Sequence, residues 1–228
     1  MAALRRFNEL ANTYEEWFAT RLGSFVARRE KELIIALLRP RVGEAMLEVG
    51  SGTGYFLREI ARSGARCVGV EPSSAMIDIA ASRSGHAIDY VRARGESLPV
   101  RDASFDGLLY MTTLEFMEDV DAALREAMRV VRPDGRLVIG VLNANGPWAR
   151  ARRREGGLWN EARFFGAAEL ETMLSALGAV QVESCVHIPP QLGWLPVPVL
   201  SVIDSLMRCV FPGSGALLGA RVTPRRLQ

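Results

Sequence analysis

The sequence predicts an α/β domain built on a mostly parallel sheet with helices on both faces. Three observations carry this expectation. From residue 45 onward, short apolar runs bounded by turn residues alternate with helix-periodic segments, and parallel neighbours can be joined only by such crossovers. A glycine-rich turn, Gly50-Ser51-Gly52-Thr53-Gly54, joins the first apolar run to the helical pattern that follows it. The 228 residues are 49% hydrophobic, enough to bury a large core in one domain.

The elements follow in order. Residues 4–38 read as helical, with Leu33, Ile34, Leu37 and Leu38 on one face and Pro40 closing the run. Residues 45–49 read as the first strand, and a helix follows through Ile60 and Ala61 to Gly64. Residues 67–70 read as the second strand and 74–82 as the next helix; 88–91 and 107–111 are strands three and four. Residues 120–131 are amphipathic and stop at Pro133-Asp134-Gly135, before a fifth strand over 137–142. Residues 169–177 read as a helix stopped by Gly178. Residues 180–187 and 215–222 complete seven strands, with a proline-rich excursion between the last two. No internal repeat or low-complexity tract appears.

Charge excludes some functions. The formal net charge is only +2, whereas a polyanion binder carries a large basic excess and a disordered chain has fewer apolar residues. The total hides an asymmetry: residues 42–145 carry 15 acidic against 11 basic side chains, while 146–163 carry five arginines against two glutamates. The end of the chain adds Arg221, Arg225 and Arg226, and Lys31 is the only lysine. Cys67, Cys185 and Cys209 show neither disulfide nor zinc spacing, which fits a reducing cytoplasm, and no metal is expected. The N-terminal residues lack the apolar stretch of a signal peptide. Residues 184–203 hold no formal charge, but Pro189, Pro190, Pro196 and Pro198 interrupt them. A packed insertion at the sheet edge is expected for residues 188–202, rather than a membrane contact or a spanning helix.

The glycine turn carries the chemistry. Glycines at a strand-to-helix turn let the backbone approach a ligand closely. Here the third glycine of a dinucleotide G-x-G-x-x-G motif is replaced by Tyr55, which opposes an NAD-dependent oxidoreductase. Glu48 lies two residues before the first glycine. A carboxylate there sits badly beside a diphosphate but well beside an ammonium or sulfonium. Glu71 ends the second strand, where an acid can accept bonds from both hydroxyls of a ribose.

These segments resemble the class I S-adenosylmethionine-dependent methyltransferases, in the small-molecule, type 11-like branch. The matching stretches are LEVGSGTGYF (47–56), VGVEPSSAMIDIA (68–80), ESLPVRDASFDGLL (96–109) and LREAMRVVRPDGRLVIG (124–140), and the likeness extends over residues 42–178. Tyr14, Trp17 and Phe18 match the branch's N-terminal Tyr-x-x-Trp-Phe signature. The resemblance implies a Rossmann-like class I methyltransferase fold with N-terminal cap helices. It implies one domain over residues 1–228: a cap over 1–41, a cofactor-binding core over 42–145, and a substrate-side insertion with the final strands over 146–228.

Residue by residue, the resemblance implies that Gly50, Ser51, Gly52 and Gly54 form the turn under the methionine part of S-adenosylmethionine. Glu48 would hold its amino group and Glu71 the ribose hydroxyls, with Pro72, Ser73 and Met76 flanking ribose and adenine. The family's usual adenine-binding Asp aligns with Arg94, a donor only, so Glu96 or the backbone at Gly95 would take that role. Met111 and Thr112 would line the methionine end, and Tyr14 the lid. Family members often carry His-His where this chain has Glu115-Phe116, so no histidine role is expected there.

Other polar residues have plainer readings. His86 reads as surface and His187 as a strand end, with a substrate proton as its alternative role. Arg150, Arg152, Arg153 and Arg154 read as a solvated helix face, with binding of an anionic substrate or of lipid headgroups as the alternative. The expected reaction is in-line methyl transfer to a small acceptor, anionic or partly apolar, with no fixed catalytic dyad. The alternative is a non-catalytic protein that binds the cofactor or its demethylated product. Nucleic acid is not expected as a partner, because residues 110–113 read Tyr-Met-Thr-Thr where an amino-methylating enzyme of that kind carries Asn/Asp-Pro-Pro-Tyr.

Overall fold

A computed structural model describes residues 2–224; Arg225 and Arg226 of the basic tail lie outside the described residues. The N-terminal helical tract is divided into α1 (Ala2–Leu10), α2 (Glu16–Ala19) and α3 (Arg21–Leu38). Thr20 makes the second break: its backbone is extended and its hydroxyl accepts from Gly23 N at 3.0 Å, capping α3. α3 ends at Arg39, whose left-handed backbone (φ 46°) precedes Pro40.

The strands are β1 (Ala45–Val49), β2 (Arg66–Val70), β3 (Ile88–Val91), β4 (Phe105–Met111), β5 (Val131–Leu142), β6 (Gly178–Cys185) and β7 (Leu217–Pro224). They form one seven-stranded sheet in the order β3-β2-β1-β4-β5-β7-β6. Pairing is parallel from β3 through β5, and β7 runs antiparallel to both its neighbours. The crossovers carry α4 (Tyr55–Ala61), α5 (Ser74–Ser84) and α6 (Val120–Val130); α7 (Pro147–Glu155), α8 (Ala167–Ser175) and α9 (Val197–Val210) follow β5.

Strand alternation sends side chains to two cores. On one face Met46, Leu109, Met111 and Val138 pack under Leu33, Ile34, Leu37 and Leu38 of α3 and Leu57 and Ile60 of α4. On the other, Leu47, Leu108, Tyr110, Leu137 and Ile139 meet Leu124, Ala127 and Val130 of α6 and Leu170 and Leu174 of α8. The strand order turns back between β1 and β4. Their C-terminal ends therefore open into a crevice that no crossover covers, the usual ligand position in such sheets.

Three local expectations are corrected or refined. The Pro133-Asp134-Gly135 turn does not precede the fifth strand but lies inside it. Val131 already pairs with Phe105, residues 132–135 bulge out, and Arg136 resumes the ladder opposite Gly107. The packed insertion over residues 188–202, between the edge strand β6 and β7, runs into a helix: Pro196 opens α9, whose inner side packs on α3. The sixth strand stops at Cys185, so His187 lies beyond it. Among the described residues no helix is long and apolar enough to cross a membrane.

The bulge positions Arg136, which is 8% exposed. Its guanidinium donates to the Leu38, Arg39 and Asp106 carbonyls and to the Glu44 carboxylate. One side chain thus ties the end of α3, the approach to β1 and the start of β4. Arg136→Ala should lower the unfolding free energy by about 2–4 kcal/mol, because it strands a largely buried carboxylate and several carbonyls. Urea titration followed by circular dichroism measures this. Arg136→Lys should recover only part of the loss, since an ammonium lacks the planar fork.

Candidate active site

The glycine turn lies at the mouth of the crevice. Gly50, Gly52 and Gly54 all have positive φ, at 71°, 51° and 74°. At Gly50 a second constraint acts, because a Cβ there would collide with the Thr113 side chain. Gly50 and Ser51 donate their N–H groups to Val70 O at 2.7 and 3.1 Å, which fixes the turn to the end of β2. Beneath it opens a cavity whose empty space of about 920 Å³ runs into open solvent.

Ten of the fourteen residues expected at the cofactor line this cavity: Tyr14, Gly50, Gly52, Glu71, Pro72, Met76, Gly95, Glu96, Met111 and Thr112. Glu71 is held in place at both oxygens, accepting from Gly52 N and Ser73 N at 2.9 Å each. Arg94 also lines the wall, where it pairs with Glu118 at 3.0 Å and Glu96 at 3.5 Å. Thr112 ends β4 with a left-handed backbone (φ 48°), its N–H held by Gly140 O at 2.7 Å.

Four expected residues stand behind the wall. The alternation of β1 gives Val49 to the cavity and turns Glu48 to the opposite face. Ser51 points its buried hydroxyl toward Gly69 of β2, and Gly54 faces Tyr90 of β3. Ser73 caps α5 by accepting from Met76 N at 3.1 Å and donates to Asn8 Oδ1 at 2.5 Å.

The cap contributes residues that the sequence reading passed over. Leu4 and Phe7 of α1 line the cavity, and Phe7 meets Phe116 edge-to-face at 5.1 Å. Their only sequence signal is i,i+3 apolar spacing on a short helix, which a core helix shares. Trp17 does not line the cavity; it is 38% exposed. Phe18 instead stacks on Tyr55 at 4.1 Å. Glu15 anchors Tyr14 from the adjacent position, accepting from Thr53 Oγ1 at 2.5 Å and from Arg58 at 3.0 Å, and pairing with Arg83 at 2.6 Å.

Buried charge gathers beside Tyr14. Burial, together with Glu30, Glu71 and Glu48 nearby, pushes its phenol well above the usual range. Burial pushes the Glu30 and Glu115 carboxyls up to about 7, against the opposing pull of Arg152 on both. Glu115 accepts from Leu142 N at 2.6 Å through Oε1, while its buried Oε2 has no partner. Glu48 is pushed up well above its ordinary value by burial and then by Glu71, and its Oε2 is likewise unpartnered. Arg152 is therefore no solvated-face residue: its guanidinium stands 5.3 Å from the Trp148 ring and 4.9 Å from that of Trp159. Arg150, Arg153 and Arg154 are exposed as expected. His187 is buried away from the cavity, with Nε2 at 3.0 Å from Ser184 Oγ and its N–H donating to Asp204 at 2.6 Å.

This arrangement fits S-adenosylmethionine. Gly50, Gly52 and Glu71 line one cavity, and the buried carboxylate oxygens of Glu48 and Glu115 that lack a partner suit a ligand bearing cationic groups. Comparisons with known proteins agree. A family model described as a methyltransferase domain matches residues 47–139. An uncharacterized protein of Methanocaldococcus jannaschii is 30% identical over 181 residues, covering 78% of this chain and 82% of that protein. A demethylmenaquinone methyltransferase of Tropheryma whipplei is 32% identical over 137 residues, covering 59% of this chain but only 56% of that protein. A solved structure from Thermotoga maritima, described as an S-adenosylmethionine-dependent methyltransferase and possible histamine N-methyltransferase, is 26% identical. It aligns with a TM-score of 0.79 over 98% of this chain and 100% of that one. By motif, fold, cavity and relatives together, the chain belongs to the S-adenosylmethionine-dependent methyltransferases.

Proposed function

We propose that the protein transfers the methyl group of S-adenosylmethionine to a small, partly apolar acceptor in the cytoplasm. The observation that carries this reading is one cavity lined by unlike groups. Glu71, Gly50 and Gly52 line it together with the apolar Leu4, Phe7, Met111 and Phe116. When bound, the cofactor supplies a methyl group already activated on a sulfonium.

The chain's residues then have three tasks. Gly50 and Gly52 hold the methionine end, and Glu71 accepts from the ribose hydroxyls through lone pairs left free by Gly52 N and Ser73 N. Glu96 and Gly95 contact the adenine, and Glu48 acts from behind the turn as a buried counter-charge to the cofactor's ammonium. The apolar wall and the α1 cap orient the acceptor and exclude water, which is what an in-line transfer needs most.

Incubation with methyl-labelled cofactor and a metabolite extract, with products identified by mass, tests the reading directly. Label should enter a small molecule. Absence of incorporation into any fraction supports the non-catalytic alternative.

Two binding predictions follow from the charges. Glu71→Ala should weaken S-adenosylmethionine binding about 100-fold, on the basis of two hydrogen bonds to a charged acceptor at about 1.5 kcal/mol each. Titration calorimetry reads this, and Glu71→Gln should keep part of the affinity. Secondly, the raised carboxyls make the free protein hold protons that a cationic ligand expels. Affinity should therefore rise as pH climbs to about 7, by up to about tenfold per pH unit for each proton released. Above the raised values it should level off. Calorimetry in buffers of different ionisation heat counts the protons; a pH-independent affinity would contradict the assignment.

A further inference from the structure

α9 presents apolar side chains on both sides. Leu200 and Asp204 are buried against the body of the protein. A surface helix normally turns charged and polar residues outward, yet Val199, Val202, Leu206 and Val210 form an outward stripe at three- and four-residue spacing. These four are 42%, 61%, 62% and 65% exposed, and Trp194 before the helix and Phe211 after it are 71% and 53% exposed. Of the nine large hydrophobic residues exposed among the described residues, six lie in this one stretch. Arg208 is the only exposed charged residue of the helix, and it lies on the flank beside Arg29 and Glu32.

The frame around the ridge is basic. Arg21 donates to Trp194 O at 2.9 Å and Arg28 to Ser201 Oγ at 3.3 Å, both from α3. At the other flank, Arg150 and Arg154 of α7 share a cleft with Met207 and Phe211. The acids nearby are fewer and mostly engaged. Asp204 is buried and pairs with Arg29 at 3.2 Å, Glu32 pairs with Arg29 at 3.0 Å and Arg28 at 3.9 Å, and Glu183 accepts from Gln181 at 2.6 Å.

We infer that α9, with Trp194 and Phe211 at its ends, is a docking surface for an anionic lipid bilayer, on which it lies in the interface plane. Apolar side chains enter the acyl boundary while flanking arginines reach the headgroups, the charge pattern of an interfacial helix. A second copy of the chain fits this surface less well. A two-fold contact sets the same patch against itself, and would press the arginine frame against its own like charge.

Flotation of the full chain with vesicles tests the inference independently of any methyl transfer. The protein should float with vesicles of equal parts phosphatidylglycerol and phosphatidylcholine and remain at the bottom with phosphatidylcholine alone. Leu206→Glu should abolish flotation, while Arg28→Gln and Arg154→Gln should each weaken it about fivefold. S-adenosylmethionine affinity, unchanged in all three variants, controls for folding. Wild-type protein that fails to float, or floats equally after Leu206→Glu, overturns the proposal. So does light scattering that shows a dimer split by Leu206→Glu with no vesicle binding, which assigns the ridge to self-association.

Discussion

The reversal of strand order between β1 and β4 is the constraint on which the rest of this molecule depends. Parallel strands need crossovers, and crossovers cover the faces of a sheet but not its carboxyl edge at the point of reversal. The polar groups that the sheet region brings to the site come from strand ends: the glycine turn after β1, Glu71 after β2, the Arg94–Glu96 loop after β3, and the residues from Met111 to Phe116 at the end of β4. None of them is drawn from the interior of a helix. The site follows from where strands stop, and the tight packing of α3 and α6 on either face keeps those stops aligned.

What remains open is closed from the far end of the sequence. α1 and the Tyr14–Glu15 corner bring an apolar wall and an anchored phenol over the crevice. Closure has an electrostatic cost. Tyr14, Glu30, Glu48 and Glu115 all hold their protons more tightly than free side chains do, with Arg152 the cation facing both Glu30 and Glu115. Buried carboxyls of that kind stay neutral until an opposite charge arrives.

Local pattern and distant pattern were unequally legible. The glycine turn, Glu71 and the strand ends could be read because each belongs to one short segment whose spacing carries its meaning. Glu48 was read as an acid of the site, but strand parity, which depends on the register with β2 and β4, puts it behind the wall. Glu30 and Arg152 were not legible together: they lie far apart in the chain, on α3 and α7, and only the fold brings their charges near enough to act on each other. Arg136 was hidden inside a turn motif whose bulged geometry depends on β4. The outward stripe of α9 was masked by the prolines before it, which suppress the appearance of periodicity without preventing a helix.

The attachment of α1 has a kinetic meaning. It is held by the Ser73–Asn8 bond, the Arg6–Glu161 pair at 2.8 Å and the Phe7–Phe116 contact, and it adds no strand to the sheet. Releasing those few ties uncovers the cavity while both cores stay intact. Such a release is a local opening, separable from the global stability of the domain.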